Sequence, residues 1–257
     1  MTLSRAIVRP PGVGFGMGLT TLDMGAPDHE RALDQHQAYC TALERSGLDL
    51  THLEIDELHP DSTFVEDTVV LTEHCAVLAH PGAFSRRGEV PSIKDALAQF
   101  YCVFYSIQAP GTLDGGDVCA AGNHLFIGIS KRTNEAGAMQ LTEYLIPFGY
   151  TSSFVDIRRV EGLLHLKSGL AYLGDNRLVV IEPLAGCNQF RGYDLIRVNQ
   201  KERYAANCVW LNHSVLIPAG YPALESSLRD LAYETISLEM SEFQKMDGGL
   251  SCLSLRF

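Results

Sequence analysis

A few short stretches hold the side chains that could do chemistry. DGGLSCLSLRF carries Cys252. Read as a strand, it puts alternate side chains on one face: Ser251, Leu253, Leu255 and Phe257 on one side, Leu250, Cys252, Ser254 and Arg256 on the other. The thiol is then either an inert buried group, as free cysteines commonly are, or a nucleophile in line with polar neighbours. LLHLKSG sets His165 in a strand-like run with Leu164 and Leu166 on the opposite face. It is either a satisfied structural imidazole or the acid–base partner that a nucleophilic thiol needs. FVEDTVVL holds Glu66 and Asp67 inside a β-branched, apolar run. Whichever face is buried takes one carboxylate with it, and a buried charge is costly unless paired, here by an arginine of the protein or by a cationic ligand. In GTLDGGDV, Asp114 and Asp117 flank two glycines, which let backbone approach closely. SRRGE (Ser85–Glu89) and SKRTN (Ser130–Asn134) each place an arginine after a β-ribbon. The guanidinium fork of each suits a carboxylate, and solvated surface charge is the alternative.

The elements that must carry these residues follow a repeated grammar. FVEDTVVLTEHCAVLAHPG reads as strand, turn, strand; LDGGDVCAAGNHLFIGISKRTNEAGAMQLTEYLIPFG adds a helix; LLHLKSGLAYLGDNRLVVIEP and YAANCVWLNHSVLIPAGYPALESSLRDLAYETISL repeat the ribbon. The turns GNH, GDN and LNH contain residues that tolerate tight geometry. EAGAMQLTEYL and ALESSLRDL have helix-spaced apolar residues. The units recur at roughly 40–50 residues, a spacing typical of repeat and propeller arrays. DGGLSCLSLRF supplies one strand of a fifth unit and SRAIVRP another, so the two could close a ring and remove exposed strand edges.

Composition narrows the function classes. The 257 residues are 46% hydrophobic and 20% charged, as in an ordinary globular protein. A net charge of −11 argues against a nucleic-acid partner, whose binding surface would be basic. The seven cysteines are odd in number and form no CxxC, so neither a disulfide framework nor a zinc finger is expected, and a reducing cytoplasm is the default. No secretory leader or membrane-length apolar run is read from the sequence.

Taken together, PDSTFVEDT, HPGAFSRRGE, GTLDGGDV, SKRTN, LHLKSG, YAANC and KMDGGLSC closely resemble the dimethylarginine dimethylaminohydrolases, guanidine-modifying enzymes of the pentein superfamily. The motifs stand in the family's order and cover most of the chain. The resemblance implies an α/β fold, a five-bladed α/β propeller of pseudo-fivefold ββαβ repeats around a central active-site pocket, in one catalytic domain over 1–257. It implies Cys252 as nucleophile and His165 as general acid and base. Asp67 and Asp114 would grip the substrate guanidinium, with Glu66 beside them. Arg86 and Arg132 would take the α-carboxylate and Asp61 the α-amino group, and backbone at Leu19 and Met246 would complete the pocket. Gly12–Gly25 resembles the family's flap.

The implied reaction hydrolyses Nω-methylated arginine to citrulline and an alkylamine through a covalent thiouronium. It needs no metal or organic cofactor, and zinc on Cys252 and His165 would inhibit it. The implied partner is a methylated arginine, with neither nucleic acid nor membrane, and the chain would act as a monomer or homodimer. Arginine deimination, hydrolysis of another substituted guanidine, and silent arginine binding remain as alternatives. Three positions depart from the family pattern: Asp114 where some bacterial relatives carry glutamate, Met246 where valine or isoleucine is usual, and His80 where arginine is common.

Overall fold

The computed structural model describes residues 2–257. In chain order the elements are β1 (Arg5–Val8), α1 (His29–Arg45), β2 (Asp49–His52), β3 (Val69–Leu71), β4 (Ala76–Leu78), α2 (Val90–Leu97) and β5 (Phe104–Ser106). Next come β6 (Val118–Ala121), β7 (His124–Ile129), α3 (Glu135–Leu145), β8 (Thr151–Asp156), β9 (Leu170–Tyr172), β10 (Arg177–Ile181) and β11 (Asp194–Val198). The last are β12 (Val209–Leu211), β13 (Ser214–Pro218), α4 (Pro222–Asp230), β14 (Glu234–Leu238), α5 (Ser241–Gln244) and β15 (Ser254–Arg256).

The strands form five three-stranded sheets, β3-β4-β5, β6-β7-β8, β9-β10-β11, β12-β13-β14 and β15-β1-β2. Every middle strand runs antiparallel to its first neighbour and parallel to the other. A parallel neighbour requires a crossover, and α1, α2, α3 and α4 supply four of them. The β10–β11 crossover instead uses two 3₁₀ turns, Glu182–Leu184 and Asn188–Phe190, so the expected ββαβ repeat holds in four blades and is abbreviated in one. The fifth sheet joins the two ends of the chain, with Ala6 opposite Arg256 and Val8 opposite Ser254. This is the pentein propeller, closed as the terminal segments suggested.

Local chemistry explains the elements. Asn134 caps α3 by accepting from Gly137 N–H, and Asp28 caps α1 by accepting from Arg31 N–H, each satisfying a donor the helix leaves free. The hairpin turns place Gly122, Asp175, Asn176 and Asn212 at positive φ, where Asn, Asp and Gly are the tolerated residues. Strand β7 is buried along Leu125–Ile129 because neighbours cover both of its faces, which suppresses alternation.

The sequence reading is corrected at the axis. FVED, LHLKS and LSCL are not strands: Val65–Thr68, Leu166–Ser168 and Leu250–Leu253 are 3₁₀ turns, as are Gly115–Asp117 and Gln200–Ala206. Each leads into the first strand of a blade, so five such turns surround the centre. Within these turns neighbouring residues reach opposite ends of the axis. Asp67, His165 and Cys252 line one pocket, whereas Glu66, Lys167 and Ser251 line a separate cavity of about 520 Å³.

Candidate active site

One pocket is lined by Leu19, Asp61, Phe64, Asp67, Arg86, Arg132, Leu164, His165, Met246, Asp247, Gly248 and Cys252. Its reactive end is formed by three of the inner turns. His165 precedes the Leu166–Ser168 turn, Asp67 lies in the Val65–Thr68 turn and Cys252 in the Leu250–Leu253 turn. Gly116 makes room for the first two. A Cβ there would stand 2.6 Å from Asp67 Oδ1 and 3.0 Å from the His165 ring, so the second glycine of GTLDGGDV is a steric requirement.

The electrostatics separate the roles. His165 Nε2 lies 3.0 Å from Asp114 Oδ2 and 3.9 Å from Asp67 Oδ1. Burial alone would lower the His165 pKa, but the Asp67, Asp114 and Asp117 carboxylates outweigh it and hold the imidazole at about 9. The ring is therefore an imidazolium at neutral pH. Asp67 accepts from Gly116 N–H at 2.9 Å and pairs with Arg86. Burial would raise its pKa, yet His165 and Arg86 keep it below the usual carboxylate range. Burial, reinforced by the Glu66 and Asp67 charges, pushes the Cys252 thiol up to about 12, so the nucleophile candidate rests as a neutral thiol. Asp117, fully buried, accepts from Ser130 Oγ at 2.6 Å and from Leu166 N–H at 2.9 Å. It fixes the residue after His165, and burial pushes its own pKa up to about 6.

At the far end the two arginines differ. Arg86 is engaged by Glu89 at 3.0 and 2.8 Å, by Asp67, and by the Phe64 carbonyl at 2.9 Å. Arg132 lies 4.0 Å from Asp114 through an NH1 that is buried and makes no hydrogen bond. Asp61, 6% exposed, accepts from Leu19 N–H at 2.9 Å. The Gly12–Gly25 segment crosses above. Phe15 seats it against Phe64 and Phe243, with ring centroids 5.9 and 5.4 Å away. Thr20 Oγ1 donates to the Lys245 carbonyl at 2.9 Å, and Thr21 donates to Asp247.

The comparisons can now be set beside this geometry. No protein-family model matches the chain. Over 98% of both sequences it is 44% identical to the N(G),N(G)-dimethylarginine dimethylaminohydrolase of Pseudomonas aeruginosa. It is 35% identical to the enzyme of that name from Streptomyces coelicolor, over 100% of this chain and 98% of the other. The chain belongs to the dimethylarginine dimethylaminohydrolase family. A solved structure of the Pseudomonas aeruginosa protein, a Cys-to-Ser mutant complexed with citrulline, superposes with a TM-score of 0.97 at 42% identity over 100% of both chains. The N-terminal domain of ArgZ, a cyanobacterial arginine dihydrolase, shares the fold at 18% identity, with a TM-score of 0.89 over 100% of this chain and 97% of that one.

Against the dimethylarginine dimethylaminohydrolase pattern, eight of the ten expected residues line the pocket: Leu19, Asp61, Asp67, Arg86, Arg132, His165, Met246 and Cys252. Asp114 does not join them. It is 0% exposed and stands behind His165, with its other oxygen accepting from Gly82 N–H at 2.9 Å, so it faces the imidazole rather than a ligand. Glu66 faces away altogether. It pairs with Lys167 at 2.6 Å, accepts from Ser251 Oγ at 2.7 Å and meets Arg256 at 3.2 Å. Its neighbour Asp67 has the pocket face, because successive residues of the turn diverge. Phe64, Glu89 and Asp247 carried no expected role, and Asp117 was noted only as flanking the two glycines. SRRGE held the signal for Glu89, since a buried arginine next to the pocket requires a buried acid. Among the described residues, the acidic, His and Cys side chains whose ligand atoms gather three or more together within 4.8 Å are Asp67, Asp114 and His165; Cys252 is not in that group.

Proposed function

We propose that this chain, as one catalytic domain over 1–257, hydrolyses Nω-methylated arginine to citrulline and methylamine or dimethylamine, with Cys252 as nucleophile and His165 as acid and base. The observation that carries this is the meeting of a thiol, an imidazole and a carboxylate in one pocket of a chain of this family, in surroundings that favour the neutral thiol, the imidazolium and the ionised carboxylate. A guanidinium is a cation and a poor electrophile. Asp67 offers its ionised carboxylate to the planar N–H edge, a strong charge-assisted contact. Burial and the Glu66 and Asp67 charges keep Cys252 protonated; the arriving cation offsets those charges, so the thiol releases its proton to solvent and thiolate forms when substrate is bound.

The thiolate attacks the guanidinium carbon. The C–N bond to the alkylated nitrogen breaks as His165 passes its proton to the departing amine. Water then attacks the thiouronium carbon and gives its proton to His165, and C–S cleavage releases citrulline and restores the sulfur. Asp114 holds the imidazole in place and keeps it charged for the first step. Arg132, with its unpartnered NH1, takes the substrate carboxylate alongside Arg86, and Asp61 takes the amino group. The Gly12–Gly25 flap, carrying Leu19, covers the substrate and excludes bulk water. Zinc held by the thiolate and imidazole would block both steps. We place the enzyme in the cytoplasm, as a monomer or homodimer; among the described residues no helix is long and apolar enough to cross a membrane.

Incubation with asymmetric dimethylarginine, monomethylarginine and arginine separately, with Cys252→Ser as control, tests the reading. Citrulline and dimethylamine from the first, absent in the variant, are expected. Citrulline from arginine alone would make it a deiminase. Turnover retained by Cys252→Ser would overturn the mechanism.

A further inference from the structure

The YAANC stretch ends in a residue that the reaction above leaves without a task. Asn207 is 4% exposed, and its amide is fully employed. Oδ1 accepts from Ser251 N–H at 2.9 Å. Nδ2 donates to the Lys167 carbonyl at 3.0 Å and to Ser251 Oγ at 3.1 Å. Ser251 immediately precedes Cys252, and Lys167 lies two residues beyond His165. One side chain therefore ties the turn carrying the thiol to the turn carrying the imidazole. The geometry points to Asn207 as a positioning residue that sets the alignment of Cys252 against His165; the proposal rests on Cys252 being the reactive thiol.

Three further features support it. First, the donors and acceptors fit in one way only. A serine hydroxyl has one proton, and Ser251 Oγ gives it to Glu66 Oε2 at 2.7 Å, so it can only accept from Asn207. Second, Ser251 has no free backbone group: Asn207 holds its N–H, and Arg256 NH1 donates to its carbonyl at 3.1 Å. The turn carrying the thiol is therefore held on every side of the residue before it, while Cys252 itself spends its N–H on the Gly249 carbonyl at 3.1 Å. Third, the chain is built around the clamp. A Cβ on Gly249 would stand 2.5 Å from Asn207 Cγ, so the second glycine of KMDGGLSC is the space that the amide occupies. Glu66 completes the arrangement from the far side of the axis, held by Lys167 and Arg256, and it reaches the reaction through Ser251 and not by touching substrate.

Substitution of the clamp should lower turnover more than it weakens binding. The residues that grip substrate are untouched, and a misplacement of about 1 Å can cost about 100-fold in rate. In Asn207→Ala and Ser251→Ala, kcat is expected to fall about 100-fold while KM stays within about threefold. The double variant should lose no more than the worse single one, because the two side chains act as a unit. Labelling of Cys252 by iodoacetamide, read by mass spectrometry, needs no substrate and should change by about tenfold or more in both variants. A citrulline failure in the wild type would sink the function reading, whereas the labelling comparison still judges the clamp. Near-normal kcat in folded Asn207→Ala or in Ser251→Ala, losses that multiply in the double variant, or labelling rates equal to wild type would each overturn it. Ser251→Ala deletes a single hydroxyl, so it decides the matter should Asn207→Ala not fold.

Discussion

The His165 imidazole stands 3.0 Å from the carboxylate of Asp114, which is fully buried. Together with Asp67, the largest contributor, this buried acid keeps the ring charged against its own burial. Asp114→Asn should therefore lower the His165 pKa from about 9. The imidazole would then lose its proton nearer neutral pH, and the alkaline limb of kcat should move to lower pH. Histidine NMR titration of the two proteins measures this directly. An unmoved His165 signal would place the charge control elsewhere, on Asp67 or Asp117.

Stability should fall on both sides of neutrality, for opposite reasons. His165 is raised in the folded state, so its contribution is complete below the unfolded value of 6.5 and is lost as pH rises through about 9. Asp67 is lowered, so its contribution is present above 3.8 and is lost as pH falls through about 2. Urea midpoints between pH 6 and 10 should show a decline that His165→Gln flattens. A parallel decline in that variant would contradict the assignment.

The resting thiol should be slow to alkylate. With Cys252 pushed up to about 12, iodoacetamide labelling of the free protein should climb throughout the range up to pH 10 with no plateau. A guanidinium ligand too small to cover the sulfur should accelerate it at pH 7 by supplying positive charge. A plateau below pH 8 would mean that the empty site already holds a thiolate.

The two pocket arginines should give different defects. Arg132→Met removes an NH1 that makes no hydrogen bond within the protein and lies 4.0 Å from Asp114, so KM should rise by about 10- to 100-fold, the loss expected for one charged hydrogen bond, with a smaller change in melting temperature than Arg86→Met. Arg86→Met strands Asp67 and Glu89 as buried charges and should cost about 3–5 kcal/mol of stability. Steady-state kinetics and thermal melts on both variants check the contrast, and the same phenotype in both would refute it.

Breaking the flap contact should weaken substrate binding. Asp247 receives both the N–H and the hydroxyl of Thr21, and these are exposed bonds, so Asp247→Ala should raise KM by a few-fold at most. An unchanged KM would mean that Phe15, seated between Phe64 and Phe243, fixes the segment by itself.

The sequence displayed the blades better than the axis. Helix α3 was legible because Asn134 caps it and its apolar residues keep helical spacing, and the ribbons because Gly122, Asn176 and Asn212 mark their turns. Helix α1 went unread despite its cap, Asp28. The central turns read as strands because so short a run, buried throughout or nearly so, carries no period that separates a 3₁₀ turn from a strand. In Val65–Thr68 every residue is buried. The same ambiguity misplaced Glu66. Alternation correctly set it on the side opposite Asp67, but whether that side faced a ligand or Lys167 depended on a residue 101 positions away. Arg86 was legible without its partner Asp67 for the same reason, since that contact joins two separate turns, whereas its Glu89 contact is local to SRRGE.

The pairing of β15 with β1 has a consequence for how activity arises during folding. Arg256 meets Ala6 across nearly the whole chain, so this sheet forms only after a very long loop has closed, and such contacts are rewarded late. Asp67, Asp114 and His165 stand at the entries to three consecutive blades, β3-β4-β5, β6-β7-β8 and β9-β10-β11, which can assemble through much shorter loops. A chain with those blades formed and the ring still open would hold the carboxylates and the imidazole but not the sulfur. The reactive thiol would thus join its partners only when the last seam is sealed, and the appearance of turnover would time the end of folding.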